Sequence, residues 1–157
     1  MSWNYRRLQQ RLAAHNWKEA DLETRRLMLA IAEADRREEQ LLTQHDLENF
    51  SCKALKNIDK LWRAYSQGNF GFTVVYKLYR QAGGDYSKLA EMVGWREGDK
   101  WRVYDELNFT IDAPPGHLPV AWLVPVKFDI YWSTRFAGPA WRLLLTRIQK
   151  CFYTQNR

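Results

Sequence analysis

Through the first two thirds of the chain, apolar residues recur in steps of three and four, and glycine stops three of the runs. That period lays one face of each segment against a core and argues against strands, whose apolar residues alternate. Leu55, Ile58, Trp62 and Tyr65 form one stripe, followed by Gly68 as a helix stop. Phe72, Val75, Leu78 or Tyr79, and Ala82 form the next, closed by Gly83 and Gly84. Asp85 then caps a helix whose inner face is Tyr86, Leu89 and Val93, ended by Gly94. Upstream, Ala20, Thr24, Leu27, Ile31 and Ala34 make a longer stripe. It is opened by Asn16 with Glu19 in the capping-box pattern, which Thr43 and Asp46 repeat before a short helical turn. The mixed-charge run over residues 34–40 reads as a solvated helix end or loop. The expected fold class is all-α.

From Trp95 the pattern changes. Residues 95–102 read as a tight charged turn between two tryptophans, with Gly98-Asp99 supplying the turn chemistry. Residues 108–111 read as briefly extended, and the prolines of residues 112–119 preclude regular structure. A last helix over about residues 139–150 starts with Pro139 in its favoured first turn and buries Trp141, Leu144 or Leu145, Ile148 and Phe152.

With 157 residues the chain makes one domain, expected over 1–157. A charged fraction of 27% beside 46% hydrophobic residues excludes a disordered chain. The longest apolar run, residues 118–126, is broken by Pro119 and Pro125 and falls short of the ~18 residues that cross a bilayer. The first residues carry neither a signal peptide nor a transit presequence, so a cytoplasmic location is expected. Cys52 and Cys151, 99 positions apart and outside any C-x-x-C motif, read as buried thiols in a reducing compartment.

Hydrolase, metalloprotease, P-loop and dinucleotide motifs are absent, and His15, His45 and His117 are scattered, so an enzyme is not expected. What stands out among 23 aromatic residues, eight of them Trp, is a loop that interleaves them with cations: Trp95, Arg96, Lys100, Trp101, Arg102, Tyr104 and Phe109. Flat π faces and guanidinium groups suit a flat anionic partner. Single-stranded nucleic acid and a carboxylated tetrapyrrole both meet that description. An ordinary loop closed over aromatic core is the third reading.

Six runs then bring a family into view. They are Asn16-Trp17-Lys18-Glu19-Ala20-Asp21, Leu47-Glu48-Asn49-Phe50-Ser51-Cys52, Ile58-Asp59-Lys60-Leu61-Trp62, Tyr65-Ser66-Gln67-Gly68-Asn69-Phe70-Gly71-Phe72-Thr73-Val74, Val93-Gly94-Trp95-Arg96, and Asp112-Ala113-Pro114-Pro115-Gly116-His117-Leu118-Pro119. In this order and spacing the chain resembles the genomes-uncoupled-four family of porphyrin-binding regulators of magnesium chelatase. The resemblance covers residues 5–119, and residues 120–157 diverge.

The resemblance implies an all-α domain shaped like a cupped hand, with two mobile loops over a concave palm. It implies a non-catalytic protein that binds protoporphyrin IX, magnesium protoporphyrin IX or, in some members, a bilin, with the magnesium chelatase large subunit as partner. Carried over by position, Trp62, Phe70, Phe72 and Val75 match the helical floor, and Phe50 matches an aromatic of the greasy palm. Residues 33–43 match one loop and residues 95–111, from Trp95 to Ile111, match the other. Phe109 stands where well-studied members carry a tryptophan that closes over the porphyrin, with Trp101 nearby. Arg96, Lys100, Arg102 and Arg135 are candidates for the propionates. Gly116-His117-Leu118-Pro119 reads as a structural turn.

Residues 113–157 hold six Lys or Arg against one Asp, so they account for +5 of the net +6. The basicity therefore belongs to the divergent segment, where residues 118–136 also suit peripheral membrane contact.

Overall fold

The computed structural model describes residues 3–123 and 132–154. Among them run seven α-helices: α1 (Arg6–Ala13), α2 (Trp17–Ile31), α3 (Gln44–Glu48), α4 (Cys52–Tyr65), α5 (Phe72–Gln81), α6 (Tyr86–Met92) and α7 (Gly138–Ile148). The only sheet among the described residues is a hairpin of β1 (Arg96–Glu97) and β2 (Lys100–Trp101). The all-α expectation holds, and the expected tight turn at Gly98-Asp99 is the bend of that hairpin.

Local chemistry sets several of these boundaries. Thr43 and Asp46 form the expected capping box of α3: Thr43 Oγ1 accepts from the Asp46 amide at 3.2 Å, and Asp46 accepts from the Thr43 amide at 2.8 Å. Ser51 and Asp85 cap α4 and α6 in the same way, accepting from the Ala54 and Lys88 amides.

Asn16 does not cap α2 with its side chain. Its amide closes α1 instead, donating to the Arg11 carbonyl at 2.9 Å after His15 turns left-handed at φ 57°. Helix α1 falls outside the stripe reading because only Leu8 and Leu12 of it are buried. α2 stops at Ile31 rather than Ala34 for a related reason. Glu33 takes φ 58°, and the Ala34 amide reaches back to Leu29 O at 2.8 Å, a C-terminal motif made here without glycine. Residues 108–111 form an irregular turn rather than an extended segment.

Two aromatic clusters fill the core. In the first, Trp62 of α4 packs against Trp17 and Phe70, and its indole N–H donates to Thr24 Oγ1 at 2.9 Å. In the second, Trp95 stacks on Trp141 at 5.2 Å, while Trp122 meets Trp141 edge-on at 4.9 Å. Trp141, Leu144, Leu145 and Ile148 bury α7, whereas Phe152 is only half-buried.

The cysteines correct the sequence reading. Cys52, the first residue of α4, and Cys151, in the turn after α7, are joined in a disulfide, so neither is a thiol. Their Cα atoms lie 5.2 Å apart because α7 returns the chain end to the start of α4, a meeting that a separation of 99 residues does not reveal.

Candidate ligand-binding groove

Trp95 opens the 95–111 loop from inside the core, where its indole N–H donates to the His117 carbonyl at 2.9 Å. From that anchor the hairpin folds on itself. The Arg96 guanidinium lies 5.3 Å over Trp101, whose ring stacks on Tyr86 at 5.8 Å. Each cation of the loop faces a carboxylate: Arg102 with Glu97 at 2.8 Å, Arg96 with Asp99 and Lys100 with Glu106, both at 3.6 Å. The Val103 amide, more than Lys100, holds the Glu106 carboxyl below its ordinary range. Phe109 is half-buried between Tyr104 at 5.3 Å and the Lys18 ammonium at 5.5 Å, and Ile111 is exposed.

The far edge of this loop is bonded to the segment that leads into α7. Tyr104 N donates to Trp132 O, Thr134 N to Arg102 O, and Thr134 Oγ1 to Trp95 O. A third segment joins through Asp21 of α2, which is fully buried. Its carboxylate accepts from the Tyr104 hydroxyl at 2.7 Å, the Val120 amide at 2.8 Å and the Ala121 amide at 3.0 Å. Burial pushes this carboxyl up to about 6, against the lowering by its three donors. Burial, ahead of the Asp21 charge, also pushes the Tyr104 hydroxyl up, so it stays protonated and donates.

These bonds shape an apolar groove of about 250 Å³. One wall is Leu41 and Leu42, at the end of the loop after α2. The other comprises Trp122, Leu123, Trp132, Phe136, Ala137, Pro139 and Ala140. Phe136 is 70% exposed, and Arg135 beside it is exposed with no ion pair among the described residues. The leucine wall is held from behind by a two-point bond from Arg37 to Asp46, at 2.7 and 2.9 Å, which keeps the Asp46 carboxyl down at about 2. A second recess, of about 390 Å³, is mostly polar, lined by Glu33, Arg37, His45, Asp46 and Asn49, with Ile31, Ala32 and Phe50 as its apolar part.

The residues expected from sequence therefore divide. Trp62, Phe70, Phe72, Val75 and Trp95 have no exposed surface and serve here as core, so none of them faces a recess. Phe50 is 2% exposed but meets the polar recess, not the groove. Arg96, Lys100, Trp101, Arg102 and Phe109 stay together on the hairpin loop, and Arg135 is exposed next in sequence to the groove residue Phe136.

The run around Asn69 and Gly71 ties the 111–118 segment down. Asn69 donates to Ala113 O, its carbonyl accepts from Gly116, and Gly71 donates to Leu118 O. His117, fully buried, donates from Nδ1 to Val93 O at 2.7 Å and accepts at Nε2 from Asn108 N, the structural role its motif suggested. Sequence reasoning missed Asp21, Leu41, Leu42, Trp122, Leu123 and Trp132. The one signal for three of them is the aromatic content of residues 118–136, which in sequence suits peripheral membrane contact. Residues 124–131 of that stretch lie outside the described residues. Among those described, no helix is long and apolar enough to cross a membrane, and no cluster of three His, Cys, Asp or Glu is placed to hold a metal.

A family model described as GUN4-like matches residues 1–130. A Ycf53-like protein of Synechocystis sp. is 32% identical over 118 residues, 74% of this chain and 51% of its own length. The tetrapyrrole-binding protein of Arabidopsis thaliana chloroplasts is 27% identical over 129 residues, 72% of this chain and 46% of its own. The chain thus spans about half the length of the curated relatives it matches. Among solved structures, GUN4 from Chlamydomonas reinhardtii superposes with a TM-score of 0.74 at 25% identity, covering 92% of this chain and 88% of that one. Ligand-free Arabidopsis thaliana GUN4 gives 0.75 at 24% identity, covering 98% and 100%.

Proposed function

The chain belongs to the GUN4-like family, and from that premise we propose that it is a non-catalytic tetrapyrrole-binding protein whose ligand lies in the groove between Leu41 and Phe136. The observation that carries the reading is the lining itself: Trp122, Trp132 and Phe136 share one groove with two leucines at the end of the 33–43 loop, and Trp132 is bonded through its carbonyl to Tyr104 of the 95–111 loop. Flat aromatic and aliphatic surfaces suit a macrocycle. At about 250 Å³ the groove is smaller than the roughly 300–1,000 Å³ pockets that enclose drug-sized ligands, so one edge of the ring stays in water. The propionates belong on that edge, near Arg135. Burying about 350 Å² of apolar ring surface at ~25 cal/mol/Å² yields about 9 kcal/mol gross, much of it spent on association and ordering.

Protoporphyrin IX and magnesium protoporphyrin IX are the leading ligands, with a bilin as runner-up. By family membership the protein acts as regulator or carrier for magnesium chelatase, with the large subunit as partner. The hairpin cations argue against a single-stranded nucleic-acid groove, since each already faces a carboxylate rather than a free phosphate path.

Titration with protoporphyrin IX and with a bilin tests the reading. Tryptophan quenching and a shifted ligand band are expected for the physiological class. No change with either at tens of micromolar overturns it. A specific observation favours one accompanying role, contact with an anionic membrane: residues 132–154 hold Arg135, Arg142, Arg147 and Lys150 with no carboxylate, beside the exposed Phe136. Flotation with anionic against neutral vesicles decides it.

A further inference from the structure

Asp21 lies outside the groove, yet two of the segments that build the groove are fastened to it directly or at one remove. Its carboxylate takes the amides of Val120 and Ala121, and the next two residues, Trp122 and Leu123, line the groove. It takes the hydroxyl of Tyr104, whose own amide donates to the carbonyl of Trp132, another wall residue. These partners lie 83, 99 and 100 residues from Asp21, so no local turn brings them together. Helix α2, which carries Asp21, also leads into the loop that ends in Leu41 and Leu42.

Simple hydrophobic closure does not account for this arrangement. A carboxylate with no exposed surface carries a desolvation cost, and an apolar residue of similar size would fill the space without it. What an apolar residue does not supply is direction. The Val120 and Ala121 amides on Oδ1 fix the entry of the 121–123 turn, and Oδ2 takes the Tyr104 hydroxyl together with the shared Ala121 amide at 3.1 Å. Movement of either segment is thereby felt by the other through one shared group.

We propose that Asp21 is a positioning residue: by holding Tyr104 and the Val120-Ala121 amides on one carboxylate, it sets the spacing of Trp122 and Trp132 and couples the 95–111 loop to the groove. The consequence for affinity rests on the tetrapyrrole reading above. The coupling itself does not, and it is read in the ligand-free protein.

The test uses Tyr104→Phe, which deletes one hydroxyl and leaves the two amide bonds to Asp21, with Asp21→Asn as the stronger variant. The control is Thr24→Val, a near-isosteric change also on α2, which removes the bond Thr24 accepts from Trp62 without touching the groove. In ligand-free Tyr104→Phe, hydrogen exchange should accelerate at the Val120, Ala121 and Thr134 amides although none of them was altered. The control should leave those three unchanged. Protoporphyrin IX titrated well below each melting midpoint should bind Tyr104→Phe about fivefold or more weakly, with a displaced bound-ligand band, and the control as wild type. Equal exchange at all three amides in Tyr104→Phe and wild type overturns the coupling. Faster exchange with unchanged affinity overturns the positioning of ligand. Should wild type bind no tetrapyrrole, the ligand reading alone fails, and the exchange result still decides the coupling.

Discussion

Breaking the Cys52–Cys151 bond should destabilise the protein more than its single covalent link suggests, because the bond closes most of the chain into a loop. The two residues are separated by 99 positions. For a closed loop of about 100 residues, the lost loop-closure entropy of the unfolded chain corresponds to about 4.7 kcal/mol, and measured values for disulfides more commonly reach about 2–4. In the folded state the same junction is held independently. Arg147 donates to Phe50 O at 2.8 Å, Tyr153 stacks on Tyr76 at 4.7 Å, and Lys56 lies 5.9 Å over Phe152. The folded state should therefore survive, with the effect falling on the unfolded ensemble. A loss of about 3 kcal/mol lowers Tm by about 6–12 °C in a domain of this size. The assay is a thermal melt of wild type with and without reductant, beside Cys52→Ser/Cys151→Ser. The double variant and reduced wild type should coincide, both below the oxidised protein. Thiol titration of unfolded, unreduced protein should find no free thiol. Two thiols per chain, or coincident melts for oxidised and reduced protein, would refute the reasoning.

Gly71→Ala should cost more than about 2 kcal/mol by urea denaturation, since its Cβ would sit 2.8 Å from Asp59 Oδ1 at φ +136°; a smaller loss would show that Asp59 gives way. Asp21 is raised in the folded state, so its protonation favours folding: that contribution is fully present below pH ~4 and lost as pH rises through about 6. The stability gap between wild type and Asp21→Asn should accordingly widen on acidification from pH 7 to 4, by on the order of 3 kcal/mol, and a constant gap contradicts the raised value. His117 has the opposite sign. Burial lowers its pKa, so its contribution is present above pH ~6.5 and lost as pH falls below that value, and an imidazole proton resonance half-titrated at 6.5 or higher would disprove it. Phe136→Ala, at a side chain 70% exposed, should change stability by less than about 0.5 kcal/mol while weakening protoporphyrin binding several-fold; a large drop in Tm would make Phe136 core.

The helices were legible wherever their causes are local. The stripes of α4, α5 and α6 and the caps at Thr43 and Asp85 each lie within a few residues of what they control, so spacing alone determines them. Asn16 shows where local reading fails: its side chain suits a cap, but its amide is committed to closing α1, a helix with only two buried residues. The loop cations were visible as cations, whereas their pairing with Glu97, Asp99 and Glu106 depends on how the hairpin folds back.

By itself the sequence determined the all-α class, most helix positions and the presence of an aromatic, basic segment, because helical period and capping act between neighbours. Only the tertiary structure decided that Trp62, Phe70 and Phe72 are enclosed, that Cys52 meets Cys151, and that Leu41 and Trp122 line one groove. Those outcomes depend on which apolar surfaces leave water together and which buried polar groups, Asp21 above all, find their donors across 83–100 residues of chain.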